Sequence, residues 1–164
     1  MSGSLIGKSV LRKEDHRFVT GKGRYTDDVQ LVGVTYATFV RSPYARADIK
    51  SFDISAALAA PGVITVLTGE DVTKDGLGGL PCGWMIHSKD GSEMRQPHHP
   101  VLAADRVNYL GEPVALVIAE SQLEAKNAAE MVMVDFEPLT AVVNPATASQ
   151  ADTLYEAVPN NLCY

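Results

Sequence analysis

Cys82, His87, His98 and His99 fall within eighteen residues, and thiolate and imidazole are the side chains that hold zinc or copper. Their spacing matches no closed metal site. No C-x-x-C or H-x-x-x-H pair sets two ligands on one face, and adjacent His98 and His99 point apart in an extended segment. Solvated loop histidines are the better reading. A Cys82–histidine pair could serve as a nucleophile, but Cys82 sits between Pro81 and Gly83 beside Trp84. Nothing in that context predicts a helix N-terminus or a cation to favour the thiolate. A serine triad needs a supporting turn such as G-x-S-x-G, which the chain lacks.

Other candidates read as local structure. Asp15-His16-Arg17 is a charged turn. Asp27-Asp28 falls short of a calcium loop and predicts a chain reversal. Gly21-Lys22-Gly23 lacks a third glycine and a preceding strand, which argues against a dinucleotide site. Trp84, the only tryptophan, either packs under its loop or anchors an interface. The expectation is therefore no catalytic, no cofactor-binding and no metal-binding residue.

Composition bounds the function classes. At 164 residues the chain is one domain in size, with 46% apolar and 21% charged residues. Its net charge of −6, and basic residues Lys8, Arg12, Lys13, Arg17, Lys22 and Arg24 interleaved with Glu14, Asp15, Asp27 and Asp28, argue against nucleic acid. No apolar run reaches the ~18 residues of a membrane span. The first eight residues carry no secretory signal pattern. Cys82 and Cys163 lie far apart in sequence and predict reduced thiols in a cytoplasmic protein.

The elements that must position these residues follow from periodicity. Residues 1–33 read as an irregular arm. Val34–Arg41 is a strand covered on both faces, and Ala47–Ile54 a second strand. Asp53 or Ser55 caps a short helix over 56–60, and Pro61-Gly62 ends it. Val63–Leu67 is a strand, with Thr68 and Asp71 as a capping box for one helical turn. Residues 74–100 form a long loop with Gly76, Gly78, Gly79 and Gly83; loops of that length often carry function. Leu102–Leu110 is strand-like. Val114–Ala119 is an unbroken apolar run, the mark of a buried central strand. Ser121 and Glu124 open a helix with Ala125, Ala128, Ala129 and Val132 on one face, and 132–137 is the last strand. Strand 114–119, that helix and strand 132–137 predict a right-handed β-α-β unit. The fold class is α/β (α+β), a mixed sheet with packed helices.

Several segments then carry a resemblance. They are Ile6–Val10 with Arg12–Asp15, Phe18–Asp28, Arg41–Ala45, Leu80–Trp84, Leu102-Ala103, Gly111–Ala115 with Ala119-Glu120, and Val134–Leu139. In order and spacing they resemble the N-terminal α/β-hammerhead domain of the xanthine dehydrogenase/aldehyde oxidase family. Carbon monoxide dehydrogenase-type large subunits of bacteria are the nearest likeness. The resemblance implies part of a molybdenum hydroxylase oxidising an aldehyde, an N-heterocycle or carbon monoxide. It implies a molybdopterin cytosine dinucleotide cofactor in the full-length subunit, with [2Fe-2S] and FAD on partner subunits. In that family the catalytic glutamate and cofactor-binding segments lie downstream of this domain, so none transfers to a position here. It divides the chain into an arm (1–33), a hammerhead domain (34–145) and a linker toward the molybdopterin-binding region (146–164). The arm and the loop 76–84 are the expected contact surfaces. The competing expectation is a free-standing interaction module on the same fold.

Overall fold

The structure, a computed structural model, describes residues 6–29 and 31–164. Residues 1–5, which entered the signal-sequence reading, lie outside the described residues. The chain separates into two compact units, Met1–Val34 and Thr35–Tyr164.

Among its described residues the first unit contains one short helix, α1 (Asp15–Val19), and a single 3-10 turn at Thr26–Asp28. Arg12 pairs with Asp15 at 2.8 Å, so the basic cluster is partly neutralised locally. Asp28 accepts the Tyr25 N–H at 2.8 Å, which makes the Asp27-Asp28 pair part of a turn. The Phe18 and Tyr25 rings stack at 5.4 Å. Gly23 allows this, since a Cβ there would lie 2.6 Å from Phe18 Cδ1.

The second unit holds, in chain order, β1 (Tyr36–Arg41), β2 (Ala47–Asp53), α2 (Ser55–Leu58), β3 (Val63–Thr68) and α3 (Gly69–Lys74). After the long loop come β4 (Arg106–Val107), β5 (Pro113–Ala119), α4 (Gln122–Ala129) and β6 (Met133–Pro138). The strands form two three-stranded sheets, ordered β1-β5-β3 and β4-β2-β6. Every described pairing is antiparallel.

β5 is the buried centre of the first sheet, as its apolar run predicts. Val114, Ala115, Val117 and Ala119 are fully buried. The β-α-β unit is corrected: β6 pairs with β2 in the other sheet, not beside β5. The reason is that β1 and β3 already occupy both edges of β5, so the chain leaving α4 must find another partner. β1 is also corrected. Its residues alternate between half-buried and exposed, because it is an edge strand with only one face packed.

The strand-like segment 102–110 shrinks to Arg106–Val107. Its ladder stops because the Asn108 N–H turns to the Glu112 carboxylate at 2.6 Å. Two caps hold as expected. Ser121 Oγ accepts the Glu124 N–H and donates back to its carboxylate. Asp71 accepts from both the Thr68 N–H and hydroxyl, at 2.8 and 2.9 Å, and α3 extends beyond the single turn expected. Asp53 receives the Ser55 N–H and hydroxyl at the start of α2.

Two core clusters result. One joins Ala57 of α2, Val66 of β3, Ala115 and Val117 of β5, and Ala128 and Val132 at α4. The small alanines bring α4 close onto the sheet. The other joins Ala47, Ala103, Val107 and Val114, with Phe52 and Phe136 against them. Burying a valine such as Val117 contributes about 1.5–3 kcal/mol.

The terminal segment 146–164 is irregular but anchored. The Asn161 amide donates to the Ala148 and Asp152 carbonyls and its oxygen receives the Leu154 N–H. Val158 is buried. Among the described residues no helix is long and apolar enough to cross a membrane.

Candidate functional site

The long loop places the residues first suspected of chemistry. Its base is pinched shut: the Leu80 N–H donates to the His99 carbonyl at 2.7 Å. Gly79 permits that approach, because a Cβ there would lie 2.7 Å from the same carbonyl oxygen. Beyond it a small hairpin forms, with a bridge between His87 and Glu93 and a turn at Gly91, whose φ is +85°. Asp90 braces that turn by accepting the Ser92 N–H and hydroxyl.

The four metal candidates do not gather at one point, although Cys82 and His99 share a cavity. His87 lies in the hairpin bridge. His98 lines a cavity of about 260 Å³ beside α3, with Val72, Leu102 and Arg106. His99 meets Tyr109, its Nε2 3.4 Å from the phenol oxygen. Cys82 is exposed, and its thiol points to the Trp84 carbonyl at 3.4 Å. Among the described residues no three histidine, cysteine or carboxylate groups gather where a metal ion could sit.

One convergence escaped the sequence. Cys82, His99 and Cys163 line a single cavity of about 400 Å³ with Leu80, Arg95 and Pro97. Cys163 reaches it because the Arg95 N–H holds its carbonyl at 2.7 Å and the Arg95 guanidinium holds that of Leu162 at 3.0 Å. A separation of 81 positions gives no local signal for such a contact. Trp84 is 79% exposed, so it does not pack under the loop.

Sequence reasoning also passed over a buried carboxylate. Glu112 is only 3% exposed, at the turn between β4 and β5. Burial pushes its carboxyl above the ordinary glutamate value, opposed by backbone N–H groups at Asn108 and Tyr109. Its own backbone closes the clasp: Ser42 donates to the Glu112 carbonyl at 2.9 Å, and Gly111 donates to that of Ser42 at 3.0 Å. Arg41 adds a bond to the Gly111 carbonyl at 2.9 Å. Burial, and then the Glu112 charge, raises the Tyr109 and Tyr155 phenols in the same neighbourhood. A glutamate before Pro113 and an all-apolar strand was the available signal. None of the cavities described has Glu112 in its wall. Its carboxylate is spent on the Asn108 N–H and holds the turn.

Two further grooves are open. One of about 420 Å³ runs between the end of β1 and β6, lined by Arg41, Tyr44, Asp135 and Phe136 among others. The other, about 530 Å³, lies over β2 and α3 with Lys50, Glu70, Asp71 and Asp105. In the second, the Thr68 hydroxyl donates to the Asp71 carboxylate at 2.9 Å, as part of the α3 cap.

Comparison with known proteins gives these parts a setting. Residues 20–140 match the family model described as aldehyde oxidase and xanthine dehydrogenase, a/b hammerhead domain. The nicotine 6-hydroxylase large subunit of Paenarthrobacter nicotinovorans is 40% identical over 147 residues, covering 90% of this chain and 17% of that protein. The carbon monoxide dehydrogenase large chain of Afipia carboxidovorans is 40% identical, with the same coverage of 90% and 17%. Among solved structures, quinoline 2-oxidoreductase from Pseudomonas putida 86 superposes with a TM-score of 0.75 at 37% identity, over 92% of this chain and 18% of that one. The chain thus spans 17% of the length of these curated relatives.

Proposed function

Because the chain belongs to the aldehyde oxidase and xanthine dehydrogenase hammerhead-domain family, we propose that it is the non-catalytic hammerhead part of a molybdenum hydroxylase large subunit. The observation that carries this is the match to residues 20–140, a domain embedded in much longer oxidoreductase subunits. The reaction of the whole protein is oxidative hydroxylation of an aldehyde, an N-heterocycle or carbon monoxide, in the cytoplasm. The cofactor is molybdopterin cytosine dinucleotide, bound by the remainder of the subunit. Partner subunits carry [2Fe-2S] and FAD. This chain supplies no catalytic, cofactor-binding or metal-binding residue.

Gly23, Gly79 and the arginines Arg41, Arg46, Arg95 and Arg106 are already engaged and form no cradle for that cofactor. A dinucleotide's phosphates require free backbone N–H groups at a helix N-terminus or free cationic side chains. Gly79 is packed against His98 and His99, and Gly23 against Phe18, so neither leaves a cradle. Arg41, Arg46 and Arg95 donate to backbone carbonyls, and Arg106 pairs with Asp48. No chemical step is therefore derived through the cofactor here.

On this reading residues 1–33 form a docking arm, 34–145 the hammerhead domain and 146–164 a linker. The arm and the loop 76–84 are contact surfaces, and exposed Trp84 suits the second. The coding sequence beyond Tyr164 tests the proposal. A reading frame that continues, and a product that co-purifies with molybdenum and a cytosine nucleotide, supports it. A stop codon directly after Tyr164 would sink it in favour of a free-standing interaction module.

A further inference from the structure

We infer that the second face of the β1-β5-β3 sheet is a docking surface, covered in the full-length subunit by an apolar segment of its molybdenum-binding remainder. This rests on the function proposed above and says which surface of the domain meets that remainder.

The register defines the face. Residues paired across an antiparallel ladder point to the same side of the sheet. Thr38, Val117 and Val66 form one row, and Val40, Ala115 and Thr68 another. Both rows stand on the side of the α2–α4 core. Ala37, Ile118 and Thr65 form a row on the opposite side, as do Phe39, Leu116 and Leu67. Neither core cluster draws a residue from these two opposite rows.

Five of the six residues in these rows, all but Thr65, are apolar, and all six are at least partly exposed. Phe39 is 44% exposed, beside the Arg41 guanidinium 5.5 Å from its ring centre. Leu116 and Ile118 stay partly exposed although they sit on the middle strand, flanked on both sides. A sheet face that stays wet alternates polar residues with the buried ones. β5 places leucine and isoleucine there instead.

The occupant follows from size and charge. In the relatives this domain is 17% of the polypeptide, so most of such a subunit is available to lie across it. A second copy of the chain fits less well, since each carries a net charge of −6 and like charges oppose association.

Hydroxyl-radical footprinting of the full-length large subunit, native against urea-denatured, reads the face directly. Oxidation of Phe39, and of the peptide carrying Leu116 and Ile118, falls by about tenfold or more in the native subunit, because packed contacts exclude water. That protection persists on dilution. A Phe39 rate within about twofold of the denatured one overturns the inference. So does protection that fades on dilution, which assigns the face to a second copy. Molybdenum content of the same sample separates the two readings. A loaded subunit with Phe39 open sinks the docking surface alone. A full-length polypeptide with no molybdenum-binding region sinks the proposed function, and the inference with it.

Discussion

Replacing Glu112 with alanine tests whether the buried turn is the clasp described. The side chain is 3% exposed and accepts the Asn108 N–H at 2.6 Å. Removing it orphans that donor, which costs about 1–3 kcal/mol. The vacated volume adds a cavity term, so a total of about 2–4 kcal/mol is expected. For a chain of this size each kcal/mol moves Tm by ~2–4 °C, giving a fall of roughly 4–16 °C. Thermal unfolding followed by circular dichroism measures it. Glu112→Gln is the control. It keeps an acceptor oxygen in place and loses less than half as much at neutral pH. It also isolates the charge. Burial raises the carboxyl above its ordinary value of 4.5, so the folded state binds the proton more tightly than the unfolded chain. The stabilisation tied to that proton is fully present below the ordinary value and declines as pH rises through the raised one. Glutamine does not titrate. The Tm of Glu112→Gln relative to the parent therefore rises as pH climbs above that ordinary value of 4.5. A fall of under about 1 °C for Glu112→Ala would refute the clasp. A Glu112→Gln Tm that stays flat or falls relative to the parent as pH rises would refute the burial argument.

Four more substitutions probe the frame. Ser121→Ala removes the cap on the Glu124 N–H and lowers stability by about 1 kcal/mol in urea unfolding. Gly69→Ala drives a Cβ to within 2.6 Å of the Ala104 backbone, a clash that rigid main chain cannot relieve. It costs about 1–3 kcal/mol, while Gly78→Ala, with open space around it, stays close to the parent in the same urea titration. Asp71 accepts the Thr68 N–H and hydroxyl, which hold its carboxyl below the ordinary 3.8. Its stabilisation is present above that value and lost as pH falls through the lowered one. Asp71→Asn should cost about 1 kcal/mol at neutral pH, and the gap to the parent should close on acidification in paired denaturant melts.

Local signals were legible because short-range chemistry sets them. Ser121 with Glu124, and Thr68 with Asp71, announce helix starts by side chains that reach only three positions along the chain. The run from Val114 to Ala119 announces a central strand because two neighbouring strands flank it and a helix covers one of its faces. Strand partnership was not legible. Nothing within 133–138 says that it pairs with 47–53 rather than with the strand just before α4; that choice depends on which edges are already taken. The clasp had the same difficulty. Glu112 is an ordinary turn residue until Ser42, some 70 positions earlier, arrives to bury it. The meeting of Cys82 and Cys163 at one cavity is likewise a product of the Arg95 anchor.

The expectation for β1, which failed by degree, points the same way as the open sheet face. Val34–Arg41 reads as a strand covered on both sides, yet only one side of β1 is packed within residues 35–164. Propensity did not mislead there: Phe39 opposes Leu116, and Leu116 opposes Leu67, a pattern that rewards burial. Fully burying a large apolar side chain contributes about 1.5–3 kcal/mol. Phe39, Leu116, Ile118 and Leu67 have each realised only part of that. A cover over this face therefore adds several kcal/mol, comparable with a good share of the ~5–15 kcal/mol that holds a domain folded. Buried polar residues of this unit, Glu112 and Ser42 among them, hold turns, while the apolar residues of that face keep surface still to be buried.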